Sequence, residues 1–154
     1  FKEYFNIYEG LNQWHEKLKR GVLKHGTVTL PSGRQFYWPN VERKANGRIS
    51  YATQIVNYPV QSFATADIVP LACISVDKMM KDRQVKSLCV LTVHDSIVID
   101  VYPGEQEIMQ DILAECMEGV ANEVKARYDY DMVIPLAIEI KSGSNWLNGN
   151  VIYE

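Results

Sequence analysis

The 154-residue sequence contains only three cysteines, and it has no internal repeat or low-complexity segment. Cys73, Cys89 and Cys116 are odd in number and widely spaced among apolar neighbours, which predicts reduced core residues of an intracellular protein and no zinc site. No continuous apolar run approaches the roughly 20 residues of a membrane span, and no signal peptide is visible. These absences favour a cytoplasmic protein that has no membrane partner.

The sequence also lacks an excess of positive charge, because its formal net charge is −3. The charges are unevenly distributed, however: residues 16–48 contain eight basic and two acidic side chains. A basic third of an acidic protein indicates a local site for a polyanion. The same count is equally typical of a solvated face of mixed charge, so two interpretations stay open.

The length and composition are those of one globular domain covering residues 1–154, with 47% apolar and 23% charged residues. The sequence starts at Phe1, inside a helical pattern and without a methionine. We therefore expect this chain to be part of a longer protein.

Helical and strand-like patterns alternate along the chain and predict an α+β fold. A central antiparallel hairpin and one additional strand are expected to pack against long helices, with a small peripheral hairpin near residues 27–38. The predicted elements are a helix from Phe1 to Lys24 ended by Gly26, a loop at 39–47, a short helix at 49–56, a helix from Pro59 to Asp82 kinked at Pro70, a helix at 105–127 and a strand at 134–140.

The central hairpin is predicted at residues 88–101, where two apolar, β-branched runs flank His94, Asp95 and Ser96. Because both faces of each strand are apolar, we expect the hairpin to lie in the middle of a core. A Ser-His-Asp triad is disfavoured, since three neighbours on one turn cannot form its linear relay. A purely structural turn and a metal-binding carboxylate remain as alternatives.

Val93-His94-Asp95 between apolar strands resembles the third sequence motif of the family A DNA polymerases, the DNA polymerase I type of bacteria and many phages. Further segments resemble the family in the same order: Tyr4-Phe5, Tyr8 and Trp14; Gly26 to Val28 with Gly33-Arg34, Tyr37 and Pro39; Asn57 to Gln61 with Ala64 and Ala66-Asp67; and Ile138 to Ile140 with Gly143 and Trp146. This resemblance covers most of the chain and implies the polymerase palm.

The resemblance implies that Asp95 is one of two aspartates that hold the catalytic Mg²⁺ ions, with His94 beside the primer terminus and Ser96 next to them. Asn57 and Gln61 would face the minor groove of primer–template DNA, whose acceptors an amide can bind. From spacing alone, a helix cap for Asn57 and a surface polar residue for Gln61 are the favoured interpretations, and the resemblance reverses that preference. The resemblance also implies that Arg34, Arg43 and Lys44 contact DNA phosphates.

Two residues depart from the family's usual pattern. Ser96 stands where the family has a glutamate, and Thr53 stands where it commonly has an arginine. A hydroxyl cannot supply a third negative charge, so we expect Ser96 to alter metal affinity or primer positioning.

The second aspartate and the fingers helix that grips deoxynucleoside triphosphates are not recognisable in this chain. We therefore expect the chain to be the C-terminal palm portion of a DNA polymerase from a bacterial cell or phage-infected host, inactive without the N-terminal palm and fingers. Two alternatives are a non-catalytic nucleic-acid-binding module and one subunit of a split polymerase.

Overall fold

The computed structural model describes residues 2–154, and its helices and short antiparallel strands form the α+β fold that the sequence predicts. The α-helices are α1 (Lys2–Ile7), α2 (Glu9–His25), α3 (Ala52–Ser62), α4 (Val69–Asp82), α5 (Gln106–Glu118) and α6 (Val120–Tyr128). The strands are β1 (Thr27–Thr29), β2 (Gln35–Tyr37), β3 (Leu88–Val93), β4 (Ser96–Asp100), β5 (Ile140–Ser142) and β6 (Asn150–Tyr153).

The strands form three separate antiparallel pairs, β1 with β2, β3 with β4 and β5 with β6. The first pair is the small hairpin predicted near residues 27–38. The prediction of a strand at 134–140 is wrong for all of these residues except the last, Ile140, where β5 begins. Pro135 lacks a backbone donor for a strand ladder, and Ile134 is 76% exposed, so these residues neither pair nor pack.

The chain divides into two compact units, the first of which ends at Phe63. Its core consists of Val22, Trp38, Ile49 and Ile55, which come from α2, α3 and the segment between them. Gly26 ends α2 as predicted, with a left-handed φ of 73° and a 2.7 Å hydrogen bond from its N–H to the carbonyl of Val22. The predicted continuous N-terminal helix is wrong, because a break at Tyr8 separates α1 from α2. Phe1 lies outside the described residues.

Pro59 does not open a new helix, as the sequence predicted, but lies buried inside α3. Packing therefore outweighs the usual preference of proline for a first turn. A π-helical stretch, Phe63–Ile68, follows α3, and Pro70 lies in the first turn of α4. The hydrogen-bonding pattern of the helix thus changes just before the proline, and the kink predicted at Pro70 itself stays a prediction.

The second unit comprises Ala64–Glu154 and has its own core between α4 and α5. The helix predicted at 105–127 is interrupted at Gly119, which separates α5 from α6. Ile97 and Ile99 of β4 pack against this core, whose buried residues are Val76, Met80, Met109, Ile112 and Cys116.

The β3–β4 hairpin does not lie in the middle of a core, which corrects the prediction from its apolar pattern. Leu88 is 61% exposed and Val90 is 55% exposed, so β3 is largely exposed, whereas the middle of β4 is partly buried. Cys89 on β3 is likewise exposed, and Cys73 is partly exposed, whereas Cys116 is buried as predicted. Burial raises the pKa of the Cys116 thiol, which keeps it in the unreactive protonated form.

The helical segment Ala52–Asp82 would be long and apolar enough to cross a membrane if length and composition were the only criteria. Core helices satisfy the same criteria, and one such segment is weak evidence for a membrane span. Ile55 belongs to the first core, and Val76 and Met80 belong to the second.

Candidate metal-binding hairpin and nucleic-acid interface

His94 and Asp95 form the two-residue connection between β3 and β4, since Val93 pairs directly with Ser96. His94 has a positive φ of 54°, which a tight two-residue hairpin connection demands of at least one central residue. His94, Asp95 and Ser96 are all exposed at this tip. The carboxylate of Asp95 is therefore accessible and is carried by backbone that the strand pairing fixes.

The hydroxyl of Ser96 donates a 2.9 Å hydrogen bond to the carbonyl oxygen of Val93. This bond closes the hairpin turn and directs the hydroxyl towards the end of β3 rather than towards an imidazole. Ser96 is thus placed to stiffen the tip that carries Asp95, and the arrangement is not that of a hydrolase triad.

A carboxylate at the base of the hairpin connects the segment before β3 to the segment after β4. The carboxylate of Glu105 accepts a 2.9 Å hydrogen bond from the backbone N–H of Lys86 and another of 2.9 Å from the backbone N–H of Ser87. These bonds connect the residues just before β3 to the segment that follows β4. The pKa of Glu105 is lowered, above all by the hydrogen bond from the Ser87 hydroxyl. The N–H of Tyr102 donates a hydrogen bond to the Ser87 hydroxyl, and we call Lys86, Ser87, Tyr102 and Glu105 the hairpin clamp.

Among residues 2–154, no three His, Cys, Asp or Glu side chains are grouped so that they could hold a metal ion. Asp95 is therefore a single acidic ligand at the tip. Mg²⁺ is commonly bound in enzymes by one or two carboxylates together with substrate phosphates and water. The chemistry of Asp95 fits a share in such a site, and the remaining ligands would have to come from other groups.

Asn57 and Gln61 lie one helical turn apart in α3, and both are exposed. Because Asn57 is in the interior of α3, the alternative that it caps a helix is wrong. Residues four apart lie on the same helical face, so the two amides can bind a common partner.

The predicted phosphate-binding residues lie on two turns of the first unit. Arg34 follows the turn that connects β1 to β2. Arg43 and Lys44 belong to a second turn, in which Arg43 bridges to Ile49 and the guanidinium of Arg43 donates a 2.9 Å hydrogen bond to the carbonyl of Gly47.

Sequence reasoning did not single out a cavity of about 630 Å³ beside this second turn. Arg43 and Lys44 line it together with Lys19, Arg48 and Tyr51. The charge count over residues 16–48 already contained Lys19 and Arg48, but it could not show that these residues converge on one cavity.

The model of DNA polymerase family A matches residues 1–148, and the chain belongs to this family. It is 31% identical over 144 residues to DNA polymerase I of Lactococcus lactis subsp. cremoris and 28% identical over 145 residues to DNA polymerase I of Mycobacterium tuberculosis. Each alignment covers 93% of this chain and 15% of the relative. The chain thus spans about 15% of the length of these relatives.

The fold is also similar to a solved structure described as the POL domain of Pol1 from M. smegmatis in complex with DNA primer-template and dNTP. The TM-score is 0.73 and the sequence identity is 27%, over 88% of this chain and 22% of that one. The family resemblance seen in the sequence is therefore confirmed by both sequence and structure.

Proposed function

We propose that this chain is the C-terminal palm portion of a template-directed DNA polymerase and that Asp95 is one of the ligands of its catalytic Mg²⁺. The observation that carries the proposal is the exposed carboxylate at the tip of a fixed two-residue hairpin turn, in a chain of DNA polymerase family A. Catalysis demands ligands that are held in position before the substrate arrives, and a hairpin tip satisfies that demand.

Magnesium held in such a site would supply neutralisation of negative charge as a primer 3′-hydroxyl bonds to the α-phosphate of a nucleotide and pyrophosphate leaves. The contribution of Asp95 is a hard oxygen ligand of the kind that Mg²⁺ prefers. His94 would lie beside the primer terminus and position its backbone or phosphate. Ser96 holds the turn through Val93 and supplies no charge.

Primer–template DNA is the proposed macromolecular partner, and deoxynucleoside triphosphates are the proposed substrates. Asn57 and Gln61 would bind acceptors that every base pair presents in the minor groove, which tolerates any sequence. Arg34, Arg43 and Lys44 would contact phosphates, also independently of sequence.

The N-terminal palm and the fingers of the longer enzyme would complete the site, because the described residues contain no group of three His, Cys, Asp or Glu side chains that could hold a metal ion. The template DNA of bacteria and their phages lies in the cytoplasm, and we propose that compartment for the protein.

The decisive variant is Asp95→Asn, tested in the full-length protein by primer extension with Mg²⁺ and by binding to duplex DNA. Extension should be lost while duplex affinity changes little, since the substitution removes a metal ligand and leaves the phosphate contacts intact. Asp100→Asn is a matched control. Asp100 is exposed like Asp95, but it is the last residue of β4 and lies at the base of the hairpin, away from the tip. Normal extension by Asp95→Asn would show that the site is assigned to the wrong residue.

A non-catalytic nucleic-acid-binding module is the second candidate, and the single acidic ligand at the tip is what favours it. In that case the full-length protein would bind duplex DNA in a salt-dependent way but would not extend a primer, and Asp95→Asn would change neither property. A split polymerase would extend a primer only when a second chain is added.

A further inference from the structure

Two of the three cysteines lie on neighbouring elements of the second unit. Cys73 is on α4 and is partly exposed, whereas Cys89 is on β3 and is exposed. Both are free thiols. Neither belongs to the hairpin tip or to the proposed DNA contacts, so their presence here is not explained by the proposed function.

The strand register places Cys89 on the side of the hairpin that faces α4. Cys89 pairs directly with Ile99 of β4, and directly paired residues of antiparallel strands project from the same face. Ile99 packs against the core that includes Val76 of α4. The side chain of Cys89 is therefore directed to the same side of the hairpin as Ile99.

Cys73 lies on the corresponding face of α4. It is three residues before the fully buried Val76, and residues three apart lie on the same helical face. Burial raises the pKa of the Cys73 thiol, and the neighbouring Cys89 raises it further. Because electrostatic interactions weaken with distance, this influence agrees with the side-chain directions: the two thiols face each other between the helix and the hairpin.

The backbone next to Cys89 is irregular. The register of β3 and β4 shifts between Cys89 and Leu91, and such a shift interrupts the hydrogen-bond ladder and bends the strand. A disulfide requires the two Cα atoms to lie within about 7 Å of each other. An interrupted ladder adapts to that requirement more easily than a continuous one.

We propose that Cys73 and Cys89 form a redox modification site, at which hydrogen peroxide converts the two thiols into a reversible intramolecular disulfide. Peroxide first oxidises the more exposed Cys89 thiol to a sulfenic acid and releases one water. The Cys73 sulfur then bonds to the Cys89 sulfur, the S–O bond breaks, and the Cys73 proton leaves with the hydroxyl as a second water. The two thiols lose two electrons in total, and peroxide accepts them.

The raised pKa of Cys73 fits this order of steps. Peroxide reacts with the thiolate form, so a thiol that is kept protonated is spared while Cys89 is oxidised. Exposed disulfides are readily reduced, and disulfides of reducing compartments are usually transient. The disulfide would join α4 to the strand that leads to the His94-Asp95 turn, and thiols such as glutathione would open it again.

Peptide mass spectrometry of the peroxide-treated full-length protein, alkylated and digested without reductant, tests the proposal. Trypsin places Cys73 on residues 49–78 and Cys89 on residues 87–125, and these peptides should be linked with the loss of two hydrogen atoms. Glutathione should separate them. Because the second peptide also contains Cys116, Cys116→Ser is the matched control. It should form the link as readily as the unmodified protein, since Cys116 is buried.

Two further variants separate the roles of the thiols. Cys73→Ser should lose the link and accumulate sulfenic acid at Cys89, which dimedone traps, whereas Cys89→Ser should lose both products. Circular dichroism shows whether each variant is folded, and the unmodified protein and Cys116→Ser keep the test valid if one is not.

Absence of the linked peptides from the unmodified protein would overturn the proposal, whether or not Cys89 is oxidised. So would a link that is lost in Cys116→Ser, or one that joins two chains and appears as a dimer on a non-reducing gel. The measurement follows thiol chemistry and does not depend on whether the protein extends a primer.

Discussion

Glu105 accepts two hydrogen bonds from Ser87, one from its backbone N–H at 2.9 Å and one from its hydroxyl at 2.6 Å. The same hydroxyl accepts a 3.0 Å hydrogen bond from the N–H of Tyr102. Ser87 is buried, so one side chain serves as donor and acceptor at the centre of the hairpin clamp.

Ser87→Ala should destabilise the fold by about 1–3 kcal/mol, because it leaves the N–H of Tyr102 without this acceptor and removes one donor to Glu105. Chemical denaturation of the full-length protein measures the change. Ser144→Ala is the control, since Ser144 is exposed and its replacement should alter stability by less than about 0.5 kcal/mol. Equal effects of the two variants would show that the clamp adds no stability.

Glu105 should make stability depend on acidic pH. Its pKa is lowered in the folded state, first by the Ser87 hydroxyl and further by the N–H groups of Lys86 and Ser87. A carboxyl with a lowered folded pKa stabilises the fold above its unfolded pKa, and this contribution is lost as pH falls through the folded pKa. Denaturation midpoints measured from neutral to acidic pH should therefore fall less steeply for Glu105→Gln. Glu107→Gln, an exposed neighbour in α5, should retain the slope of the unmodified protein.

Gln61→Ala should impair primer extension in the full-length protein without unfolding it. Alanine is a better helix former than glutamine, so α3 is retained while one amide contact to the minor groove is removed. Loss of one such hydrogen bond corresponds to about 0.5–1.5 kcal/mol, a reduction of about two- to tenfold in extension rate at low substrate. Val60→Ala changes the adjacent exposed residue of α3 and should have no comparable effect. Unchanged extension kinetics of Gln61→Ala would contradict the minor-groove contact.

Arg43→Ala and Lys44→Ala should each weaken duplex binding to the same extent for different DNA sequences. Each removes one phosphate contact, so the slope of log affinity against log salt should become shallower by about 1. Lys78→Ala removes an exposed charge from α4 and provides the charge-matched control. If the slope stays constant for Arg43→Ala and Lys44→Ala but changes for Lys78→Ala, the DNA interface lies elsewhere.

Ile112→Ala should destabilise the second unit by about 2–5 kcal/mol, because Ile112 is fully buried between α4 and α5 and its truncation leaves a cavity. Thermal or chemical denaturation measures the loss. Ile134→Ala removes the same atoms from an exposed side chain and should change stability by less than about 0.5 kcal/mol.

The local features of this protein follow from its sequence. The end of α2 at Gly26 and the tight hairpin with His94, Asp95 and Ser96 at its tip depend on residues next to one another in the chain, and both predictions are confirmed. The predicted position of Pro59 at a helix start is wrong, because burial in the first unit decides where α3 runs. Local rules fail there because the deciding contacts are tertiary.

The sites show the same division between local and long-range information. Asp95 could be singled out because its turn is contiguous in sequence. The cavity brings Lys19 from α2 next to Arg48 and Tyr51, and no pattern along the chain reveals that proximity. The exposure of Leu88 and Val90 could not be predicted either, since an apolar strand gives no information on which of its faces is covered.

The left-handed backbone of His94, with its φ of 54°, affects how a saturation mutagenesis library at this position would be interpreted. β-Branched residues adopt this conformation poorly, whereas asparagine and glycine tolerate it. Depletion of valine and isoleucine from such a library would report the geometry of the turn rather than a chemical role of the imidazole. Only the loss of asparagine and glycine variants would identify selection for the histidine side chain itself.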